Sequence, residues 1–366
     1  VQGLGAGGIF PIASAVIGDT FPPERRGRAL GLLGAVFGLA FIIGPIIGGI
    51  LLTFSWHWLF LVNLPIAAGL LVVSARLLPA TRPAQRRPFD WPGMIVLAVL
   101  LSAMTYGLNQ IDSARFVQSL TSLDVWPFLL LTVILLPVFW FVERRTSSPV
   151  LPVSLFVSRQ VALVAVFALG SGLGEASVVF GPKILKSAFG VTESTASFML
   201  VPLVLTMAIG SPLAGRLLDR LGSRVIVLAG SGLLAAGMIT LGLWAHDLIL
   251  FYVGAGLVGV ALGILLGAPL RYIMLGEAPA TQRAAAQGAL ALFTSTGQLI
   301  GGAVVGAIAA SRGGGVAGYE NAYLLVGGLV LLLTTLGFGL KSRAEEAATM
   351  HHNVAPPLGE PQQGRA

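Results

Sequence analysis

The sequence predicts an all-α integral membrane protein, on the evidence of its composition, its long apolar runs and the placement of its arginines. Of the 366 residues, 55% are hydrophobic and only 10% are charged, and the mean hydropathy is +0.89. An average soluble domain is about 25% charged. Residues 30–52 carry no charge, and such a run is long enough to cross a bilayer as a helix. Helices are expected because a spanning segment in lipid must bond its own backbone groups.

Apolar runs of roughly 17–25 residues, the length that a spanning helix needs, occur eleven times along the chain. The candidate spans are residues 1–18, 28–52, 58–78, 91–110, 126–142, 160–182, 195–215, 224–244, 248–270, 285–310 and 322–340. Most are apolar on every face, so length and hydropathy define them rather than amphipathic period. Because residue 1 already lies within the first candidate span, we expect the chain to be a fragment; the orientation given next puts residue 1 on the outer side, which predicts an odd number of spans before it.

The basic residues orient these spans. Alternate loops and the tail hold 18 of the 22 Lys and Arg residues, and the intervening loops hold 4. Under the positive-inside rule, the basic loops and the C-terminus are predicted to be cytoplasmic in an inner membrane. The net charge of +7 therefore reflects loop placement rather than nucleic-acid binding. Asp19 and Glu24 are expected to form loop ion pairs with the arginines at 25–28.

Two Pro- and Arg-rich linkers, 79–90 and 143–159, divide the chain. They predict three spans in residues 1–78, a two-span insert with its flanking cytoplasmic linkers in 79–150, and a six-span bundle in 151–341. Residues 342–366 lack apolar periodicity and are predicted to be a disordered cytoplasmic tail.

Several chemistries lack their residues in this sequence. There is no Cys, and none of the four His stands at metal-ligand spacing with a carboxylate inside a span. No glycine-rich stretch continues into the Lys-Ser or Lys-Thr of a phosphate-binding loop, and no nucleophile triad or HExxH pattern occurs. We therefore expect no metal, no cofactor and no enzymatic activity.

Glycine and proline are concentrated within the second candidate span. The residues concerned are Gly34, Gly38, Gly44, Pro45, Gly48 and Gly49. In water a glycine in a helix costs about 1 kcal/mol and a proline about 3, but in lipid small faces let helices approach closely. The segment is predicted to pack tightly and bend; ordinary small-residue packing is the alternative reading.

A second cluster lies in the loop of residues 215–224, where one carboxylate stands among arginines between glycines. Its members are Gly215, Arg216, Asp219, Arg220, Gly222 and Arg224. The Asp219 carboxylate can accept charge-assisted hydrogen bonds from arginine or from a neighbouring helix N-terminus. Such a cluster can hold one conformation and break in another. A plain positive-inside loop would have the same composition.

Glu175 is the only one of fifteen carboxylates deep within an apolar span. A charge in hydrocarbon costs roughly 2.5–3.5 kcal/mol on insertion scales, so this side chain is expected to face protein or a wet cavity. It is a candidate for binding a proton or a cationic substrate, against the alternative of a purely structural hydrogen bond. Thr294 and Gln298, in the tenth candidate span, are the best polar candidates for lining a pocket.

The motifs also carry a family resemblance over nearly the whole chain. Residues 34–49 resemble the antiporter motif of the major facilitator superfamily, and 215–224 resemble the second copy of its cytoplasmic loop signature. Gln2 and the glycines after it resemble the end of the fourth-helix motif, whose Arg would lie three residues before Gln2. Residues 56–65 (Trp-His-Trp-Leu-Phe-Leu-Val-Asn-Leu-Pro) resemble the fifth-to-sixth helix junction of the fourteen-span drug:proton antiporters.

The resemblance implies a helical bundle with about eleven of fourteen spans present, the first three being absent. It implies proton-coupled export of amphipathic, often cationic drugs by alternating access, with Glu175 as the coupling group and Gln2, Thr294 and Gln298 in the substrate cavity. The expected partners are a small-molecule substrate, protons and the lipid bilayer, without nucleic acid, for a monomeric protein. Two alternatives stay open: the same fold exporting a defined metabolite such as a siderophore or amino acid, and a non-transporting scaffold or membrane-embedded enzyme.

Overall fold

The computed structural model describes residues 2–77, 88–112 and 115–352, which are helical apart from turns and short connections. The helices are α1 Gln2–Thr20, α2 Pro23–Leu52, α3 Trp58–Leu61, α4 Asn63–Leu77, α5 Trp91–Asn109, α6 Phe116–Leu120, α7 Trp126–Arg145, α8 Arg159–Val179, α9 Gly181–Phe189, α10 Glu193–Met199, α11 Val201–Leu221, α12 Ser223–Leu243, α13 Leu248–Leu266, α14 Pro269–Glu277, α15 Arg283–Ser311, α16 Val316–Leu336 and α17 Arg343–His352. No strand occurs in these ranges.

Nine helical segments in the described part of the chain are long and apolar enough to cross a membrane. They are Trp58–Leu77, Trp91–Asn109, Trp126–Arg145, Arg159–Val179, Thr195–Leu221, Ser223–Leu243, Leu248–Glu277, Ala280–Ser311 and Val316–Gly339. The two remaining predicted spans, 1–18 and 28–52, fall on the continuous helices α1 and α2.

Breaks divide some predicted spans into two helices. Pro182, Pro202 and Pro269 stand in the first turns of α9, α11 and α14. Proline has no N–H to donate and clashes with the preceding turn, so it favours the start of a helix over its interior. The chain therefore restarts at these positions rather than continuing from α8, α10 and α13.

The core lies among the helices from α8 onward. In the closest pairs, α8 packs on α15, α11 on α13, and α12 on both α13 and α16. Fully buried apolar side chains such as Leu234, Met238 and Val258 fill the space between them. From the first part of the chain, α2 packs along α11 and α1 packs on α15, whereas α3 and α4 bury none of their residues. The helices α5 and α7 of the insert form a hairpin that packs mainly on itself.

Residues 343–352 differ from the predicted disordered tail, because they form α17. The Ser342 N–H and hydroxyl bond to Glu345 at 2.7 and 2.8 Å and so start the helix. The carboxyl of Glu346 is buried and accepts bonds from the N–H and hydroxyl of Ser223 at the start of α12. These polar anchors hold a segment whose composition is too polar to form a core; residues 353–366 lie outside the described part.

Candidate functional site

The first half of α2 meets α11 along a contact made of small residues, here called the small-residue seam. It comprises Gly27, Gly31, Gly34 and Gly38 of α2 with Ala208, Ser211 and Gly215 of α11. A Cβ added to Gly31 would lie 2.9 Å from the Cα of Gly215, and the Ser211 hydroxyl donates to the Gly31 carbonyl at 3.0 Å. Because real Cβ atoms essentially never come that close, the two backbones approach to a distance that only glycine permits.

The predicted antiporter motif divides between this seam and the rest of α2. Gly34 and Gly38 lie in the seam, whereas a Cβ on Gly44 would meet nothing within 4 Å and one on Gly48 would meet only Leu59, at 3.8 Å. Pro45 and Gly49 lie within α2, and their surroundings are outside the described part. The sequence interpretation missed Gly27 and Gly31. Their spacing of four residues, a pattern known for close helix packing, was the signal that could have found them.

Asp219 lies in the last turn of α11, because residues 215–221 of the predicted loop 215–224 are helical, and it contacts α2 near its start. Its carboxylate accepts the backbone N–H of Gly27 at 3.0 Å and of Arg28 at 3.1 Å. These are the fifth and sixth residues of α2, near the positive end of the helix dipole, which favours a carboxylate. The sequence allowed either an arginine or a neighbouring helix N-terminus as the partner of Asp219, and in the structure the partner is the N-terminal part of α2.

The arginines of this loop are directed elsewhere. Arg216 and Arg220 are exposed, and Arg224 lies over the Phe338 ring, 6.0 Å from its centroid. Gly222 has a φ of 83°, a left-handed conformation that glycine adopts without strain, and it links α11 to α12. Arg343 donates to the Asp219 carbonyl at 3.2 Å. In the described part of the chain, none of these basic side chains pairs with the Asp219 carboxylate, whose partners are the N–H groups of Gly27 and Arg28; we call these two bonds the latch.

A second polar link joins α1 to α15 at the same end of the molecule. Arg283 is 5% exposed and donates to the Asp19 carboxylate at 2.5 Å and to the Gly18 carbonyl at 3.0 Å. The expectation that Asp19 pairs with the arginines just after it is therefore wrong. The partner instead comes from 264 residues away along the chain. We call the end of the molecule that contains this pair and the Asp219 bonds to α2 the arginine-rich end.

Glu175 lies on α8 where that helix packs on α15. It is half-buried, and the side-chain amide of Gln298 lies against it as its polar partner. The close approach comes from Gly172, where an added Cβ would lie 2.8 Å from the Gln298 backbone nitrogen. No described residue forms an ion pair with Glu175. The carboxyl can therefore hold a proton or face a cation.

The other predicted cavity residues are placed less favourably. The Thr294 hydroxyl donates to the Leu290 carbonyl of its own helix at 3.0 Å. Gln2 begins α1, and its side chain lies outside the described part. The structure thus brings Gln298 and Glu175 together, and Thr294 stands one turn before Gln298. Within residues 2–77, 88–112 and 115–352, no cluster of three or more His, Asp or Glu could hold a metal ion.

Nine apolar helical segments of spanning length in the described part of the chain, with α2 packed closely on α11, form an architecture typical of membrane transporters. A family model described as Major Facilitator Superfamily matches residues 1–185 and 161–356. The chain belongs to the major facilitator superfamily.

Relatives within this superfamily include proteins named for drug resistance. The chain is 35% identical over 303 residues to the Bacillus subtilis protein "Uncharacterized MFS-type transporter YfiU", covering 81% of this chain and 58% of the relative. It is 29% identical over 318 residues to the Mycobacterium tuberculosis H37Rv "Multidrug resistance protein Stp", covering 85% and 58%. The chain thus spans about 58% of the length of these two relatives.

A solved structure has the same fold. The human organic anion transporter MFSD10 (TETRAN) superposes with a TM-score of 0.61 at 20% identity, covering 90% of this chain and 67% of that one. At this identity the likeness concerns the fold alone.

Proposed function

We propose that the protein exports amphipathic, often cationic compounds across the cytoplasmic membrane in exchange for protons, by alternating access. The single observation that carries this proposal is Glu175, a carboxyl half-buried within a spanning helix, with an amide partner and no ion-pair partner in the described chain. The drug-resistance names of relatives such as Stp support the same substrate class.

Coupling follows from the cost of charge in lipid. An ionised carboxylate at membrane depth costs roughly 2.5–3.5 kcal/mol on insertion scales, so Glu175 is stable only when it is protonated or beside a cation. A proton and a cationic substrate then compete for the same group. Binding of one releases the other, which is the requirement for exchange.

Alternating access requires the arginine-rich end to open and close. By the positive-inside rule that end faces the cytoplasm, and in this proposal the state with α2 packed on α11 is the one closed on that side. Opening breaks the two N–H bonds to Asp219 and the Arg283–Asp19 pair. It also separates the small-residue seam, which has no side chains long enough to maintain contact once the helices part.

We further propose that the whole protein has fourteen spans, with six-helix bundles on either side of the two-span insert, and works as a monomer with the C-terminus in the cytoplasm. The insert hairpin α5–α7 between the two groups of helices and the length of the relatives support this arrangement.

The test is transport by the full-length protein in proteoliposomes with an imposed pH gradient and a fluorescent cationic dye. Glu175→Gln is expected to reduce proton-driven dye movement about tenfold or more, the effect of roughly 1.4 kcal/mol lost from coupling. Glu320→Gln is the matched control, because this carboxyl pairs with the exposed His246 at 3.5 Å. Dye export by Glu175→Gln with an unchanged pH dependence would remove the proton assignment.

Export of one defined metabolite is the alternative within the same fold. Resistance of expressing cells to several unrelated dyes supports the broad exporter. Resistance to none, with transport of a single amino acid or siderophore, supports the metabolite carrier instead.

A further inference from the structure

Two buried carboxyls meet at the base of the insert hairpin, away from Glu175. Asp90 caps the N-terminus of α5, where its Oδ1 accepts the Gly93 N–H at 2.9 Å. Glu143 stands in the last turn of α7, where its Oε2 accepts the Leu151 N–H at 3.0 Å. The two side chains are 5% and 2% exposed. One oxygen of each carboxyl is therefore fixed by a backbone donor.

The two remaining oxygens point into the same space. Oδ2 of Asp90 and Oε1 of Glu143 are both buried and have no hydrogen-bond partner. A Cβ added to Gly93 would lie 2.7 Å from Oε1 of Glu143 and 2.8 Å from Cγ of Asp90. The two carboxyls thus converge over Gly93, in space that any larger residue would fill. Unpartnered buried polar atoms are rare and costly, and two that converge point to a missing ligand.

Among the residues that the structure describes, no cation from the surrounding elements reaches this space. Arg144 and Arg145, next to Glu143, stack on the rings of Trp140 and Phe141, at 4.7 and 3.9 Å from the centroids. The connection 146–152 and the short helix Val153–Val157 contain no titratable residue.

The helices that pack against the pair supply no counter-charge either. The only titratable residue of α5 is Tyr106, more than three turns away from Asp90. The only charged residue of α15, which also contacts α5, is Arg283, and it is bonded to Asp19. Two ionised carboxylates here would repel each other in a poorly solvated site.

We propose that Asp90 and Glu143 bind one proton between them, forming a proton-binding site at the base of the α5–α7 hairpin. The proton bonds to one of the two unpartnered oxygens, and that O–H donates to the other. The net charge of the pair is −1 instead of −2, and both orphan oxygens gain a partner. The shared proton ties the start of α5 to the end of α7 and, through Leu151, to the chain that leads into α8. This inference does not depend on the proposed export function.

The test is the thermal unfolding midpoint of the purified full-length protein against pH. In the unfolded chain both carboxyls ionise near their ordinary values of about 3.9 and 4.3, so a proton retained in the fold is lost only at higher pH. Stability then falls as pH rises. We expect the midpoint to drop by about 1–2 °C per pH unit as pH rises from about 4 to the pKa of the pair, and to level off once the pair has lost its proton; this fall is called the alkaline drop below.

Isosteric amides distinguish the shared proton from other causes. Asp90→Asn and Glu143→Gln each replace the proton by an amide N–H, so each is expected to remove the alkaline drop. Asp124→Asn, at an exposed carboxylate at the other end of the hairpin, is the matched control and keeps the wild-type profile. Infrared spectra of the wild type are expected to show a protonated-carboxyl carbonyl band at neutral pH that is absent from Asp90→Asn. This measurement needs only one variant to fold.

Two outcomes overturn the inference. One is an alkaline drop that persists in both amide variants, together with no carbonyl band assignable to Asp90. The other is a wild-type midpoint that Na⁺ or Ca²⁺ raises throughout the pH range while neither ion changes the midpoint of Glu143→Gln, because the site would then hold a metal ion rather than a proton.

Discussion

If the arginine-rich end closes as proposed, its closure is predicted to depend on glycine at position 31, and adding one methyl group there tests this prediction. A Cβ at this position would lie 2.9 Å from the Cα of Gly215 and 3.0 Å from the Ser211 carbonyl oxygen. Both obstacles are backbone atoms, which cannot rotate away. Overpacking of this kind costs about 1–3 kcal/mol, and Gly31→Ala imposes it only when α2 and α11 are in contact.

The expected result is a shift toward the state in which the seam is open. A cost of about 1–3 kcal/mol changes the ratio of the two states by about 5- to 150-fold. The gain in helix propensity from alanine, about 1 kcal/mol, acts on α2 in both states and cancels from the ratio.

The assay uses the absence of cysteine from this sequence. In a Ser211→Cys background the introduced thiol is the only one in these 366 residues, and Ser211 is 1% exposed. Its rate of labelling by a thiol reagent therefore reports opening of the seam. Gly31→Ala is expected to raise that rate by at least about fivefold. Gly256→Ala is the control, because an added Cβ there meets nothing within 4 Å. An unchanged rate in Gly31→Ala would refute the contact.

Two further results are expected at the same end of the molecule. Asp219→Asn weakens two charge-assisted bonds to the start of α2 by about 1 kcal/mol each. It should therefore raise the same labelling rate about fivefold or more, whereas Arg216→Gln should not change it; equal rates would contradict the latch. Burial raises the pKa of Glu346 above its ordinary value, so ionisation opposes docking of α17. Hydrogen exchange of residues 343–349, corrected for intrinsic rates, should increase as pH rises through that pKa, and Glu346→Gln should abolish the increase; a flat wild-type profile would contradict this assignment.

The spanning helices were readable from the sequence because lipid restricts the choice of structure. A long apolar run without charge has one main solution in a bilayer, a helix that bonds its own backbone. Six of the nine apolar segments contain a single α-helix, and the breaks before Pro182 and Pro269 follow a local rule that sequence carries. The prediction of a disordered tail did not hold for α17. The carboxyl of Glu346 accepts the N–H of the buried Ser223, and no local sequence pattern indicates this contact.

The sequence predicted the residues of the polar site but not their partners. Loop 215–224 stood out by its glycines and charges, but arginine and a helix N-terminus satisfy a carboxylate equally well, so the partner of Asp219 was undetermined. That partner lies 192 residues away along the chain. Gln298 was predicted with Thr294 to line a pocket, but the sequence did not pair it with Glu175; the contact of α8 with α15 at Gly172 brings the two side chains together.

Composition and hydropathy by themselves made this chain a multi-pass helical membrane protein, since the energetics of lipid act on each segment independently. Tertiary packing alone decided which group each carboxyl faces: Asp219 faces the start of α2, Asp19 the distant Arg283, and Asp90 the carboxyl of Glu143. The physical reason is that such pairings depend on how closely two helices approach, and differences of a few tenths of an ångström matter. Small residues on both helices together set that distance, whereas the sequence lists each helix separately.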